Sequence, residues 1–404
     1  MSVGIEYART QWAGGQGFFH SGTVTAGGGG ALYVYDCGSL SPTTLSREIQ
    51  EFQKRHGRVI DLLFLSHFHA DHVNGLPELL RLTAVRTAVI PLVPTAERLY
   101  VLGSALSGEA PITDWYQRLI VDPTSAIREI GGDIDIVVVE PVTEGEDDPS
   151  TYRDEPPSSE PPIDGAPGSD PSKSVTLSAG KRSTLSEANG FQPIWEWGTM
   201  TTAFAKNATR AFLKNLANRL QVSVVELEIL ISTGSGVADL VANRSEELRE
   251  AYRDSFPDLN LTSLIVYSGP AKEVLGPGRT YRSRSFVERG ELHAWDARPG
   301  WLGTGDQRMG SRRCSAVEKH FGARLSRVGT LALPHHGSSG SYAQTLLSIF
   351  GGYRPICALS VGIDSIYGHP DRRVVIDVSS NGNHVVIVTE DESSRWTESG
   401  VFYL

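Results

Sequence analysis

Between Leu65 and Gly75 the chain places three imidazoles and a carboxylate within six residues, His67, His69, Asp71 and His72, directly after the apolar run Val59-Ile60-Asp61-Leu62-Leu63-Phe64-Leu65. That run reads as a buried strand, so the cluster stands where a strand opens into a loop. The loops at strand ends of an α/β sheet gather on one edge, which is where such folds assemble their sites. His67 and His69 are two residues apart and project to the same side of an extended backbone, whereas Asp71 and His72 are adjacent on a turn and face a second point. One ion cannot use all four donors. Two ions about 3.5–4 Å apart can.

Four further segments repeat the pattern of an apolar run ending in a ligand-type residue. Val328-Gly329-Thr330-Leu331-Ala332-Leu333 leads into Pro334-His335-His336-Gly337-Ser338, and Ile356-Cys357-Ala358-Leu359-Ser360-Val361 is followed by Tyr367-Gly368-His369-Pro370. Trp301-Leu302-Gly303-Thr304-Gly305-Asp306 supplies a carboxylate, and Ala31-Leu32-Tyr33-Val34-Tyr35 ends at Asp36. Singly, each is an ordinary turn; together they predict one polar edge rich in histidine.

On these residues the chain resembles the metallo-β-lactamase superfamily, whose H-x-H-x-D-H signature is met by His67, His69, Asp71 and His72. His335-His336-Gly337-Ser338 and Tyr367-Gly368-His369-Pro370 narrow the resemblance to the soluble hydrolase domain of ComEC DNA-uptake proteins and related phosphodiesterases and phosphorylcholine esterases. Gly15-Gln16-Gly17 and Asn260-Leu261-Thr262-Ser263-Leu264-Ile265-Val266 are similar to that branch too, and the resemblance covers most of the chain outside roughly residues 143–255. It implies an αββα sandwich holding two divalent ions, Zn²⁺ or Mn²⁺, since the donor set lacks thiolate. In that scheme His67 and His69 hold one ion, Asp71 and His72 the other, Asp306 bridges, and His336 and His369 complete the shells. Asp36 orients the metal loop, Asp71 takes part in catalysis as well as binding, and His335 is left to donate to a phosphoryl oxygen. One departure is plain: where many members carry a further histidine after a strand such as Ile134–Val139, this chain has Glu140-Pro141, and the only histidine in the interval, His293, reads as a surface residue.

Composition sets the organisation. The net charge of −10 over 404 residues is concentrated in residues 144–170, where nine acids stand against Arg153, a net −8 that leaves −2 for the rest. Residues 143–190, rich in Pro, Ser, Asp and Glu, cannot bury enough apolar surface to offset their ordering entropy and read as a disordered acidic linker. Residues 191–255 read as a helical insertion, with Trp195 and Trp197 as core, between two halves of the hydrolase domain at 1–142 and 256–404. A single helix is expected over Asp114–Ile130. Residues 270–330 carry twelve Lys and Arg against six Asp and Glu, a basic stretch that attracts polyanions.

No run approaches the roughly 18 apolar residues of a membrane helix, no secretory leader is evident, and Cys37, Cys314 and Cys357 suit reduced thiols, so a cytoplasmic, membrane-free protein is expected. The functional expectation is a binuclear hydrolase that cleaves phosphoesters by metal-bound hydroxide, with DNA or RNA as substrate. A small-molecule phosphodiesterase, a lactonase and a non-enzymatic interaction subunit working through the insertion or the linker are the competing readings. Oligomeric state is open.

Overall fold

The computed structural model describes residues 4–26, 29–108, 112–142, 175–178, 182–186, 193–201, 206–255, 262–272, 278–284, 287–294, 298–363 and 367–403. Their strands form two sheets. The first has nine strands in the order Val287–Ala294, Gly278–Arg284, Trp396–Tyr403, Gly4–Gln11, Phe19–Ala26, Gly29–Cys37, Val59–Phe64, Ala84–Pro91 and Asp135–Val139. The second has eight, in the order Val385–Val388, Ile356–Ser360, Val328–Ala332, Gly300–Gly303, Ile265–Pro270, Pro193–Met200, Arg182–Ser186 and Val175–Ser178.

Each sheet contains a block of four parallel strands. In the first these are Gly29–Cys37 to Asp135–Val139, in the second Gly300–Gly303 to Val385–Val388. Parallel strands need crossovers on a sheet face, and helices supply them. The helix Pro42–His56 buries Leu45, Ile49 and Phe52, spaced by four and three, against the outer face of the first sheet. Ser311–Phe321 and Arg372–Ser380 do the same on the second through Val317, Phe321, Val374 and Val378. Tyr33, Tyr35, Phe64, Trp195, Trp197, Val266 and Trp301 fill the space between the sheets. The result is an αββα sandwich.

Buried polar groups tie the layers. Arg9 pairs with Glu398 at 3.0 Å and donates to Thr330 Oγ1 at 3.2 Å, while Thr330 donates to Glu398 at 2.7 Å, so the two sheets share one polar network.

Several expectations meet the structure differently. The stretch 191–255 opens with the strand Pro193–Met200, hydrogen-bonded to Ile265–Pro270. Its Trp-x-Trp alternation turns both indoles into the inter-sheet core, where Trp195 and Trp197 are buried. The helices that follow, Lys206–Leu220, Val224–Ile231, Gly234–Asn243 and Ser245–Arg253, thicken the first helical layer: Phe212, Leu216 and Leu248 join its core, and Tyr100 meets Phe212 and Tyr252 edge-on. Asp114–Ile130 is two helices, Asp114–Val121 and Pro123–Gly131. Asp122 breaks it by capping the second, accepting the N–H groups of Thr124 and Ser125 ahead of Pro123 at the first helical position. Of the acidic linker, residues 143–174 lie outside the described residues, whereas Val175–Ser178 and Arg182–Ser186 pair as an antiparallel hairpin at the sheet edge. The basic stretch is divided: four of its arginines belong to the hairpin Gly278–Arg284 and Val287–Ala294 at the far edge of the first sheet, with side chains outside the described set, as is that of His293.

Candidate metal centre

The carboxyl ends of the two parallel blocks meet at one edge, where Leu264 N–H donates to Ser66 O at 2.7 Å across the sandwich. Asp36 and the His67–His72 loop arrive from the first sheet, Asp306, His335 and His336 from the second. Close approach there depends on glycine. A Cβ on Gly38 would lie 2.4 Å from the backbone of Asp71 and His72, and one on Gly305, at φ +53°, would meet Ser66 at 2.9 Å. Asp36, His335 and His336 also adopt positive φ, at 56°, 47° and 54°. Such conformations cost about 1–2 kcal/mol per residue and persist where the surroundings hold them.

Asp36 is fully buried and accepts from Ser66 N at 2.6 Å, Ser66 Oγ at 2.6 Å and His72 Nδ1 at 2.9 Å. A carboxylate accepts only, so His72 carries a proton on Nδ1 and turns Nε2 into the site. The same reasoning fixes His336, whose Nδ1 donates to Ser360 O at 2.9 Å. Ser66 Oγ, having given its proton to Asp36, accepts from His67 Nδ1 at 2.7 Å. The Nε2 atoms of His69, His72 and His336 are buried without a hydrogen-bond partner among the described residues.

Around Asp306 the donors divide by carboxylate oxygen. Oδ2 lies 3.7 Å from His67 Nε2 and 3.6 Å from His335 Nε2, and His69 Nδ1 stands 3.1 Å from His67 Nε2. Oδ1 lies 3.4 Å from His72 Nε2 and 4.0 Å from His336 Nε2, and His336 Nε2 is 3.6 Å from Asp71 Oδ2. Nitrogen ligands about 2.0–2.1 Å from a shared tetrahedral ion stand about 3.3 Å apart, close to these edges. Donor atoms of His67, His72 and Asp306, and of Asp71, His72 and His336, lie within 4.8 Å of one another. His369 lies beside this ring of donors, its ring centre 5.4 Å from His335 and 6.4 Å from His336.

Charge makes the same demand. Burial alone would push His72 down, but Asp306, Asp71 and Asp36 outweigh it and hold the imidazole well above its ordinary range. Burial opposes ionisation of Asp71 and Asp306 as well, yet the facing histidines hold both below the usual carboxylate range, His72 and His336 for Asp71, His335, His72 and His67 for Asp306. Burial, then His335 and His336, lower His369 to about 4. The carboxylates of Asp71 and Asp306, together with unpartnered imidazole nitrogens facing the same point, are a cation site by their donor chemistry.

Ser66, Ser263, Ser341 and Ser360 hold the ligands and were not assigned roles from sequence. Ser263 Oγ accepts from Asp306 N at 3.2 Å, and Ser341 Oγ meets His335 Nδ1 at 3.0 Å. Ser66 and Ser263 lie inside the motifs already noted, but serine is too common in turns to be singled out.

An αββα sandwich with this donor set at the meeting of its sheets defines a metal-binding hydrolase-type scaffold. Residues 17–169 match the family model of the metallo-beta-lactamase superfamily, so this part of the chain carries a domain of that superfamily. Among curated proteins it is similar to ribonuclease Z of Treponema denticola, 35% identical over 74 residues, 18% of this chain and 20% of that protein. Ribonuclease Z of Treponema pallidum is 34% identical over 80 residues, 20% of this chain and 22% of that protein. The matched stretch thus spans about a fifth of each relative. Among the described residues no helix is long and apolar enough to cross a membrane, and Cys37, Cys314 and Cys357 are free and buried.

Proposed function

We propose that this protein is a phosphodiesterase acting on nucleic acid, with two divalent ions held on either side of Asp306. The observation that carries the reading is the division of imidazoles between the two oxygens of that carboxylate, His67 and His335 toward Oδ2 and His72 and His336 toward Oδ1, with His69 beside His67 and Asp71 beside His336. The similarity to two proteins named ribonuclease Z favours nucleic acid over other phosphodiesters. Zn²⁺ and Mn²⁺ both suit nitrogen and oxygen donors.

When bound, such ions supply Lewis acidity and a water acidified for attack at neutral pH. The chain's own residues do the rest. Asp36 and Ser360 O fix the tautomers of His72 and His336, Ser66 fixes that of His67, and Ser263 holds the Asp306 backbone. In this allocation His335 stands where the absent histidine after Ile134–Val139 would act, which makes Glu140-Pro141 no obstacle. His335 and His369 thereby exchange the roles expected from sequence: His335 is a ligand, and His369 offers its N–H to a phosphoryl oxygen.

The test is hydrolysis of labelled oligonucleotides by purified protein, abolished by chelation and restored by Zn²⁺ or Mn²⁺. His369→Ala is expected to keep its metal and lose kcat by about 10²–10⁴, as for a lost acid or oxyanion donor. Cleavage that survives exhaustive chelation, or a His369→Ala protein stripped of metal, contradicts the assignment.

A further inference from the structure

Resting on the nucleic-acid reading, we infer that Tyr367–Arg373 forms a strip for single-stranded nucleic acid, with Tyr367 stacking the base beside the scissile phosphate and Arg372 and Arg373 taking neighbouring phosphates. Tyr367 is 47% exposed, and its ring lies nearly parallel to that of His369, at 15° and 6.4 Å between centres. Its hydroxyl reaches to 3.6 Å from where a Cβ of Gly108 would stand, at the end of the helix Thr95–Ser107, so the ring lies between that helix and the histidines. A large aromatic face left half open beside a polar site is suited to stack a flat apolar partner. Every nucleobase offers one.

The residues that follow supply the second component. Arg372 and Arg373 are exposed and lie three and four positions beyond His369, at the start of the helix Arg372–Ser380. Next to them a shallow depression of about 500 Å³ opens, with Arg373, Tyr342, Val374 and Ile376 among its walls. Ser339, also on its wall, is three residues from His336, so depression and ligands are at most about 11 Å apart along the chain. An aromatic face, two guanidinium groups and an apolar recess in sequence match the stacking-plus-phosphate recognition of unpaired strands. In a duplex the base faces are already covered by their neighbours, so the ring has nothing to stack. The strip therefore selects single strands.

The experiment compares kcat/KM for a single-stranded oligonucleotide, the same sequence as a duplex, and bis(p-nitrophenyl) phosphate, in wild type, Tyr367→Ala, Tyr367→Trp and Arg372→Ala/Arg373→Ala. Wild type is expected to prefer the single strand at least about tenfold. Tyr367→Ala should lower the ratio of oligonucleotide to small-diester kcat/KM about 10–100-fold, as for loss of one stacked base, with Tyr367→Trp restoring it. The double arginine variant should weaken oligonucleotide binding and flatten its salt dependence. An unchanged ratio in Tyr367→Ala, or a wild-type preference for duplex, overturns this inference alone. A wild type that cleaves the small diester and no oligonucleotide overturns the nucleic-acid reading as well.

Discussion

The two sides of Asp306 are built to different standards of rigidity. On the Oδ1 side the His72 and His336 side chains are 1% and 2% exposed, and each is locked by a fixed acceptor, the Asp36 carboxylate and the Ser360 carbonyl. On the Oδ2 side His67 is buried and held by the Ser66 hydroxyl, but the His335 side chain is 30% exposed, and its Nδ1 meets the rotatable hydroxyl of Ser341. His69 is likewise only partly buried. A ligand whose tautomer and orientation are preset loses less on binding an ion, so the Oδ1 side should hold the tighter one. The looser side faces solvent, and with it the substrate. In the two-ion reading one half would be scaffold and the other working surface, joined by a single carboxylate.

The largest effect should follow from removing what the halves share. Asp306→Ala is expected to lower kcat/KM by at least about 10³-fold, the several kcal/mol that ions at such sites contribute; a variant within tenfold of wild type would mean that the two sides do not depend on this carboxylate. The next contrast is between neighbours. His336→Ala should lose the tight ion and also about 1–3 kcal/mol of stability, because it leaves the buried Ser360 carbonyl unpaired, whereas His335→Ala should lose the weaker ion with little change in melting. Equal destabilisation of the two, measured by denaturant titration, would erase the distinction between scaffold and working surface.

The smallest effect extends the comparison one layer outward. Glu97 is 1% exposed; its Oε1 accepts from Thr262 N at 3.0 Å, beside the Ser263 that holds Asp306. Burial raises its carboxyl to about 7 against the Thr262 hydrogen bonds. A raised carboxyl contributes fully below its unfolded value and loses that contribution as pH rises through about 7. The loss at high pH is about 3 kcal/mol from linkage. Glu97→Gln keeps the Thr262 contact and avoids that loss, but its amide hydrogens need partners at a cost of about 1–3 kcal/mol. The net expectation is a gain of about 1 kcal/mol at pH 8 that turns into a loss of about 1 kcal/mol at pH 5, read from paired melting curves; a gain that grows toward low pH has the wrong sign for this account.

Much of the centre was legible because ligand chemistry constrains sequence locally. His67, His69, Asp71 and His72 lie within six residues after one strand, and Asp306, His335 and His336 each follow an apolar run, so their common edge could be read from strand ends alone. What escaped was set by distant contacts. Which imidazole faces which oxygen of Asp306 depends on the left-handed turn at His335 and His336 and on Ser360, a residue on a neighbouring strand. Pro193–Met200 lay hidden for a related reason. A strand inside a sandwich buries both faces, so Glu196, buried and paired with Arg324 at 2.7 Å, masked an alternation whose partner strand lies some seventy residues on. The Asp114–Ile130 break, by contrast, was present locally in Asp122-Pro123 and its cap.

Central to this account is that one carboxylate divides two ion sites of unequal strength, and elemental analysis of the purified protein during stepwise chelation tests it most directly. Metal should fall from two equivalents per chain to one and then to none in separate stages in wild type, with His335→Ala starting at one equivalent. A wild type that saturates at a single equivalent, with Zn²⁺ and Mn²⁺ both in excess, would contradict it.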